Sequence, residues 1–335
     1  MRKSYSYGVA GLVTLLLAAC GGGGGDSGSA VVTPPPVQVA PVAITSANAQ
    51  VVASDSLWAG NFFGADLGNL TGLTAAGGRT GANMSAKLVK LASAGVSKTL
   101  SPVFEATLGP ITEACLVSGT VTLTLVYTDL LTITAGDSIT LDSVNCDDGD
   151  GQVMDGYLKM TFTAFSGNAD TGVFLATVAV TVVDLSMDDG GSMGPVVMDG
   201  GFDMVLDTMS LPVTTATTSG DVLSMDVAGR QLTVVNFMSY QVADQGVFPT
   251  AYELSVSGGV RSNRFDGEAT SETITPFASS GPDFPYAGEM LVTGAAGSTI
   301  RVIALDALNV RLEMDYNGDG AVDDTVDMTW EEAIS

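Results

Sequence analysis

Thr120-Val121-Thr122-Leu123-Thr124-Leu125-Val126 alternates hydroxyl and apolar side chains through Leu125. Successive side chains of an extended chain point to opposite faces, so this run places Val121, Leu123 and Leu125 on one face and threonines on the other. The same period of two recurs in Leu158-Lys159-Met160-Thr161-Phe162-Thr163, in Val310-Arg311-Leu312-Glu313-Met314 and in Val326-Asp327-Met328-Thr329-Trp330. Valine, threonine and aromatic residues dominate from about residue 103 onward, punctuated by Gly, Asp and Asn. Such runs, about a dozen in all, read as antiparallel strands with one wet and one packed face. The fold class expected is therefore mainly β: an antiparallel meander forming a large sheet, sandwich or barrel-like body.

A barrel that crosses a membrane is not expected. Its lipid-facing strands need an apolar belt with aromatic girdles, and the chain has only 2 Trp and 8 Tyr. Met154-Asp155-Gly156, Met198-Asp199-Gly200 and Phe265-Asp266-Gly267 each precede a strand-like segment. Asp-Gly is a preferred tight-turn pair, so these three are read as repeated turn chemistry.

Ahead of the β region, one or two short helices are expected within residues 44–102. Ala49, Val52, Ala53 and Trp58 recur at helical spacing behind a Ser46 or Asn48 cap. A second helix is expected over 84–100, where Leu88, Leu91 and Val96 alternate with Lys87 and Lys90. Residues 20–43 read as a tether, floppy where Gly21 to Gly25 cluster and stiffened toward polyproline II by Pro34-Pro35-Pro36 and Pro41.

Residues 1–19 have the layout of a secretory signal. Arg2 and Lys3 supply the positive start, Val9 through Leu17 the apolar core, and Ala18-Ala19 the small residues before the cut. Leu17-Ala18-Ala19-Cys20 resembles the bacterial lipobox, in which the cysteine thiol receives a diacylglyceryl group and becomes the new N-terminus. The resemblance implies lipidation of Cys20 and a membrane held through its acyl chains. Each buried methylene contributes about 0.8 kcal/mol to such attachment. Gly21 stands where aspartate would retain an enteric lipoprotein at the inner membrane, so the outer membrane is the expected location.

Composition narrows the function classes. The chain carries 12 basic and 37 acidic residues; without Arg2 and Lys3 it carries 10 against 37, a formal charge of −27. Such a surface repels nucleic acid and anionic headgroups. There is no histidine, which excludes Ser-His-Asp and Cys-His catalysis and the usual His-containing zinc sites. With Cys20 assigned to lipid, Cys115 and Cys146 remain, an even pair that reads as a disulfide in an exported protein.

One segment has ligand spacing. Asp315-Tyr316-Asn317-Gly318-Asp319-Gly320-Ala321-Val322-Asp323 puts oxygen donors at positions 1, 3, 5 and 9, with the Ala321 carbonyl at 7 and glycine at 6. Alternate side chains of such a loop converge on one hard cation, and the loop resembles the calcium loops of EF-hands and dockerins. It departs from them at position 12, where Val326 replaces a bidentate glutamate, and neither Asp324 nor Asp327 has the right register. Its flanks read as strands, so a hairpin folded around structural calcium is expected. Asp147-Asp148-Gly149-Asp150-Gly151 with Asp155, and Asp188-Asp189-Gly190-Gly191, lack that pattern and read as turns.

Gly288-Glu289-Met290-Leu291-Val292-Thr293-Gly294, the calcium-type loop and Thr329-Trp330-Glu331-Glu332 together resemble the end of uncharacterised proteobacterial lipoproteins. Cys115, Gly136-Asp137-Ser138 and Cys146 are similar to another segment of such proteins. That family carries no established activity. The expected function is a non-enzymatic binding or structural module of the cell envelope, its protein, glycan or lipid partner open. A carboxylate-dependent glycan-active enzyme needs two acids about 5–10 Å apart in a deep cleft. An apolar-ligand carrier would use the 14 methionines to line a cavity.

Overall fold

The computed structural model describes residues 39–61, 106–128, 132–147, 149, 153–168, 171–188, 195–244, 251–280 and 284–334. Among the described residues, 14 strands form one antiparallel sheet, each strand paired to its neighbours in sequence and the sheet not closed into a barrel. The strands are β1 (Ala106–Ala114), β2 (Ser118–Tyr127), β3 (Ser138–Asp147), β4 (Val153–Asn168), β5 (Val173–Asp188), β6 (Val196–Asp207) and β7 (Val213–Val227). They continue as β8 (Arg230–Asp244), β9 (Ala251–Ser262), β10 (Phe265–Ser280), β11 (Ala287–Thr293), β12 (Thr299–Ala304), β13 (Asn309–Asp315) and β14 (Asp324–Thr329). Two α-helices, α1 (Ala49–Asn61) and α2 (Trp330–Ile334), and a short 3-10 turn at Ala295–Gly297 complete the described elements. The second expected helix lies outside the described residues.

The period-two runs form strands as expected. Val121 and Leu123 of β2 are buried beside Leu141 of β3 and Leu158, Met160 and Phe162 of β4. Removing such side chains from water contributes about 1.5–3 kcal/mol each. Among the described residues β1 and β14 are the edge strands, and both are blunted. β1 carries Pro110, which has no amide to offer, at an irregular point between Leu108 and Ile111. β14 is six residues long and carries Asp324 and Asp327.

The Asp-Gly pairs correct the turn reading. Asp155-Gly156 and Asp199-Gly200 lie inside β4 and β6, and Asp266-Gly267 lies inside β10. Gly156 sits at a bulge in the β4–β5 ladder between Asp155 and Tyr157, at φ +103°. It faces Asp184 of β5, which is itself left-handed at φ +47°. Asn145 in β3 and Asn236 in β8 adopt the same conformation at register shifts of their own. Asn and Asp tolerate this region best among non-glycine residues. Together these positions draw a seam of bulges across the middle of the sheet.

The seam changes which face is buried. A one-residue slip moves every following side chain to the other face. In β5 the buried positions are Ala176, Val178, Val180 and Val182, then Leu185. In β8 they pass from Leu232 and Val234 to Val235 and Phe237. Each inserted residue also bends its strand and increases the local twist.

Helix α1 lies against β8, β9, β10, β12 and β13 and against α2. The expected cap takes a different form: the Asn48 Oδ1 accepts the Thr45 amide at 2.8 Å and its Nδ2 donates to the Ala43 carbonyl. All eight residues Val52 to Ala59 are buried, including Ser54, Asp55 and Ser56. A helix enclosed on every side needs no polar stripe, which is why its apolar residues do not keep to one face. The chain is fastened to the sheet even before α1. The Val42 amide donates to the Glu268 carbonyl at 2.9 Å and Glu268 returns its own amide to Ala40. The last residues of the expected tether therefore belong to the body.

Candidate metal centre

The β13–β14 hairpin has the register Asn309 opposite Thr329 through Met314 opposite Asp324, and the acidic loop joins its ends. Val310, Leu312 and Met314 of β13 are buried, while Val326 and Met328 of β14 pack more loosely against the same core. This anchors both ends of the loop to apolar packing and leaves its polar middle in solvent.

The first carboxylate organises the loop. Asp315 Oδ1 accepts the amides of Gly318 at 2.7 Å and Asn317 at 3.2 Å, and Oδ2 accepts the Gly320 amide at 2.7 Å. Asn317 Oδ1 accepts the Asp319 amide and Asp319 Oδ1 accepts the Ala321 amide, both at 2.8 Å. Asp323 Oδ2 closes the ring on the Tyr316 amide at 2.8 Å. Gly318 is left-handed at φ +74°, and a Cβ there would lie 2.4 Å from the Ala296 carbonyl oxygen of the β11–β12 turn. Only glycine fits that approach.

Electrostatics follow from this wiring. Partial removal from water pushes the Asp315 carboxyl up, but the amides of Gly320, Gly318, Asn317 and Asp319 outweigh it and hold it below the usual carboxylate range. Tyr316 is pushed up, first by burial and then by Asp324 and Asp323.

The donor set fits a hard cation through its first nine positions and departs at the twelfth. Asp315, Asn317, Asp319, the Ala321 carbonyl and Asp323 are all oxygen donors on one loop, the chemistry that suits calcium. Val326, at position 12, is locked in the ladder opposite Leu312. Asp327 is engaged by Arg311 at 2.7 and 2.9 Å, and Asp324 accepts the Thr325 amide. Both carboxylates considered as substitutes for position 12 therefore have other partners. Among the described residues, no three Asp, Glu or Cys side chains converge at metal-binding distance.

Cys115 and Cys146 lie at disulfide distance with Cα atoms 5.5 Å apart. The pair joins the turn after β1 to β3 across β2. Cys20 lies outside the described residues. Of the second acidic cluster, Asp147 accepts the Gly149 amide at 2.7 Å, while Asp155 accepts the Asn145 amide at 3.0 Å and so caps a bulge. For the glycosidase reading, Asp203 and Asp221 line a depression of about 700 Å³ with Gly201, Ser219 and Asn236. Phe202 and Phe237 also line it, but it is broad and open rather than the deep cleft such chemistry uses.

Sequence reasoning missed a buried ionic cluster. Asp55 is fully buried in α1, and its Oδ1 accepts Arg264 Nη1 at 3.1 Å and lies 3.5 Å from Arg230 Nε. Arg230 also donates to the Ile334 carbonyl at 3.1 Å, which ties α2 into the cluster. One charged residue within Ala49–Ala59 was the available signal. Compared with known proteins, the chain matches no family, no curated protein and no solved structure.

Proposed function

We propose that this chain is a lipoprotein of the cell envelope, anchored through Cys20 at the outer membrane, whose acidic β-body serves as a non-enzymatic binding or structural module. The observation that carries the reading is how the body uses its carboxylates. Asp137 accepts the amides of Thr128 and Thr134, Asp207 that of Met209, Asp226 that of Gly229 and Asp306 those of Leu308 and Asn309. These acids hold turns, so the acidic excess has a structural explanation in a protein built of hairpins. The lipobox resemblance at Leu17 to Cys20 supports the anchor, and the resemblance to uncharacterised proteobacterial lipoproteins supports the same compartment.

Within this reading the β13–β14 loop takes calcium through Asp315, Asn317, Asp319, Ala321 and Asp323. The ion supplies a central positive charge that holds the loop closed, and the chain's own amides orient Asp315, Asn317 and Asp319 beforehand. Two measurements test the proposal. Metabolic labelling with a radioactive fatty acid should mark the parent chain and leave Cys20→Ser unlabelled and released from the membrane fraction. The purified chain should melt at a higher temperature in calcium than in EDTA, and Asp319→Ala should abolish the difference. An unlabelled parent chain would overturn the anchor, and equal melting in both conditions would overturn the calcium site.

A further inference from the structure

Where α1 ends, the sheet and α2 leave a cavity of about 40 Å³ between them. Leu57 of α1, Leu254 and Val256 of β9, Phe277 of β10, Met290 of β11 and Trp330 of α2 form its walls. Trp330 is oriented by its own hydrogen bonds, donating its indole N–H to the carbonyls of Pro285 and Asp306 at 3.1 Å each. With that donor committed, the ring offers the cavity only carbon. Phe284 stacks on the ring at 5.8 Å and Phe277 meets it edge-on at 6.1 Å, which fixes the wall in place.

A preformed site of this kind favours one class of occupant. A buried water needs two to four polar partners, and these walls are almost wholly apolar. Methylene groups need none, and they gain by leaving water. On the scale where one water needs ~10–15 Å³, the cavity takes a short run of carbons rather than a ring system or a folded segment. Met290 supplies an unbranched thioether that adapts to such a chain. The chain's formal charge of −25 disfavours an anionic ligand.

We infer that this cavity binds the terminal methylenes of an uncharged alkyl chain, with the polar end left in water. The inference uses neither the lipid anchor nor the calcium loop, so it stands or falls separately from both.

The full chain carrying Trp58→Phe keeps Trp330 as its single tryptophan. Titrating it in EDTA with 6-bromohexan-1-ol brings a heavy-atom quencher into the cavity. Quenching of Trp330 emission should saturate, and unbrominated hexan-1-ol should reverse it. Val256→Phe, which fills the cavity, should reduce the response to the linear quenching of free indole. Linear quenching in the parent, or saturable quenching that hexan-1-ol leaves untouched, would overturn the inference. So would unchanged saturation in a folded Val256→Phe; if that variant does not fold, the hexan-1-ol competition alone decides.

Discussion

Asp55 and Arg264 meet at 3.1 Å inside the molecule although 209 residues separate them in the chain. The contact joins the first helix to the turn between β9 and β10, and Arg230 brings in the start of β8. Burial lowers the Arg230 pKa, and Asp55 acts against that loss of charge. Among the described residues, the carboxylate's second oxygen and the neighbouring Ser56 hydroxyl have no hydrogen-bond partner.

Removing one partner of such a cluster strands the other charges. Asp55→Ala is expected to cost about 3–5 kcal/mol of unfolding free energy, measured by urea denaturation. Replacing Asp55, Arg230 and Arg264 together by apolar residues of similar volume is expected to recover most of that loss. A single variant as stable as the parent would show that the ions contribute nothing to docking α1.

The disulfide acts on the unfolded chain. It spans a sequence separation of 31 residues, and on the chain-entropy account it contributes roughly 3–4 kcal/mol. Cys115→Ser with Cys146→Ser is expected to lower the denaturation midpoint accordingly, and reduction of the parent should reproduce the variant. Insensitivity to reductant would mean that the two thiols do not form the bond in solution.

The seam of bulges makes a glycine prediction that turn chemistry does not. At Gly156 a Cβ would lie 2.2 Å from the Asp184 carbonyl oxygen, with φ at +103°. Gly156→Ala should cost about 3–5 kcal/mol from backbone strain and displaced neighbours together. Gly172, in the β4–β5 turn, is also left-handed at φ +70° but has nothing within 4 Å of a Cβ. Gly172→Ala should cost only the conformational part, about 1–2 kcal/mol. Equal losses in the two variants would remove the bulge from the explanation of the fold.

Acid should weaken the β13–β14 loop in a defined direction. Asp315 is held below its unfolded value, so its contribution is complete above the unfolded carboxylate pKa of about 3.9 and is lost as pH falls through the folded value. Asp327 behaves alike, chiefly through its hydrogen bonds from Arg311. In EDTA, the stability gap between the parent and Asp315→Asn should be constant above about pH 5 and narrow as the pH falls further. A gap that widens on acidification would contradict the hydrogen-bond account.

Several of these relationships were legible in residue order alone. The alternation of Thr120 to Val126 and of Val310 to Met314 determined β-strands, because a period of two has meaning only in an extended chain. The hairpin at Asp315 to Asp323 and the pairing of Cys115 with Cys146 followed from local spacing and from counting. The Asp-Gly pairs misled, because the same positive φ serves a tight turn and a bulge, and local sequence does not distinguish them. Asp155 illustrates the difference: its partner, the Asn145 amide, lies ten residues back in β3.

What only the tertiary structure decided depends on contacts between distant segments. Strand order, the line of bulges from Asn145 to Asn236 and the open rather than closed sheet arise from ladder registers that no short window encodes. The burial of α1 on every side depends on strands more than a hundred residues away, as does the partner of Asp55. The cavity beside Trp330 has the same origin, since α1, β9, β10, β11 and α2 each supply part of its wall. Sequence periodicity reports which face of an element avoids water. The identity of the surface that covers that face is set by long-range packing.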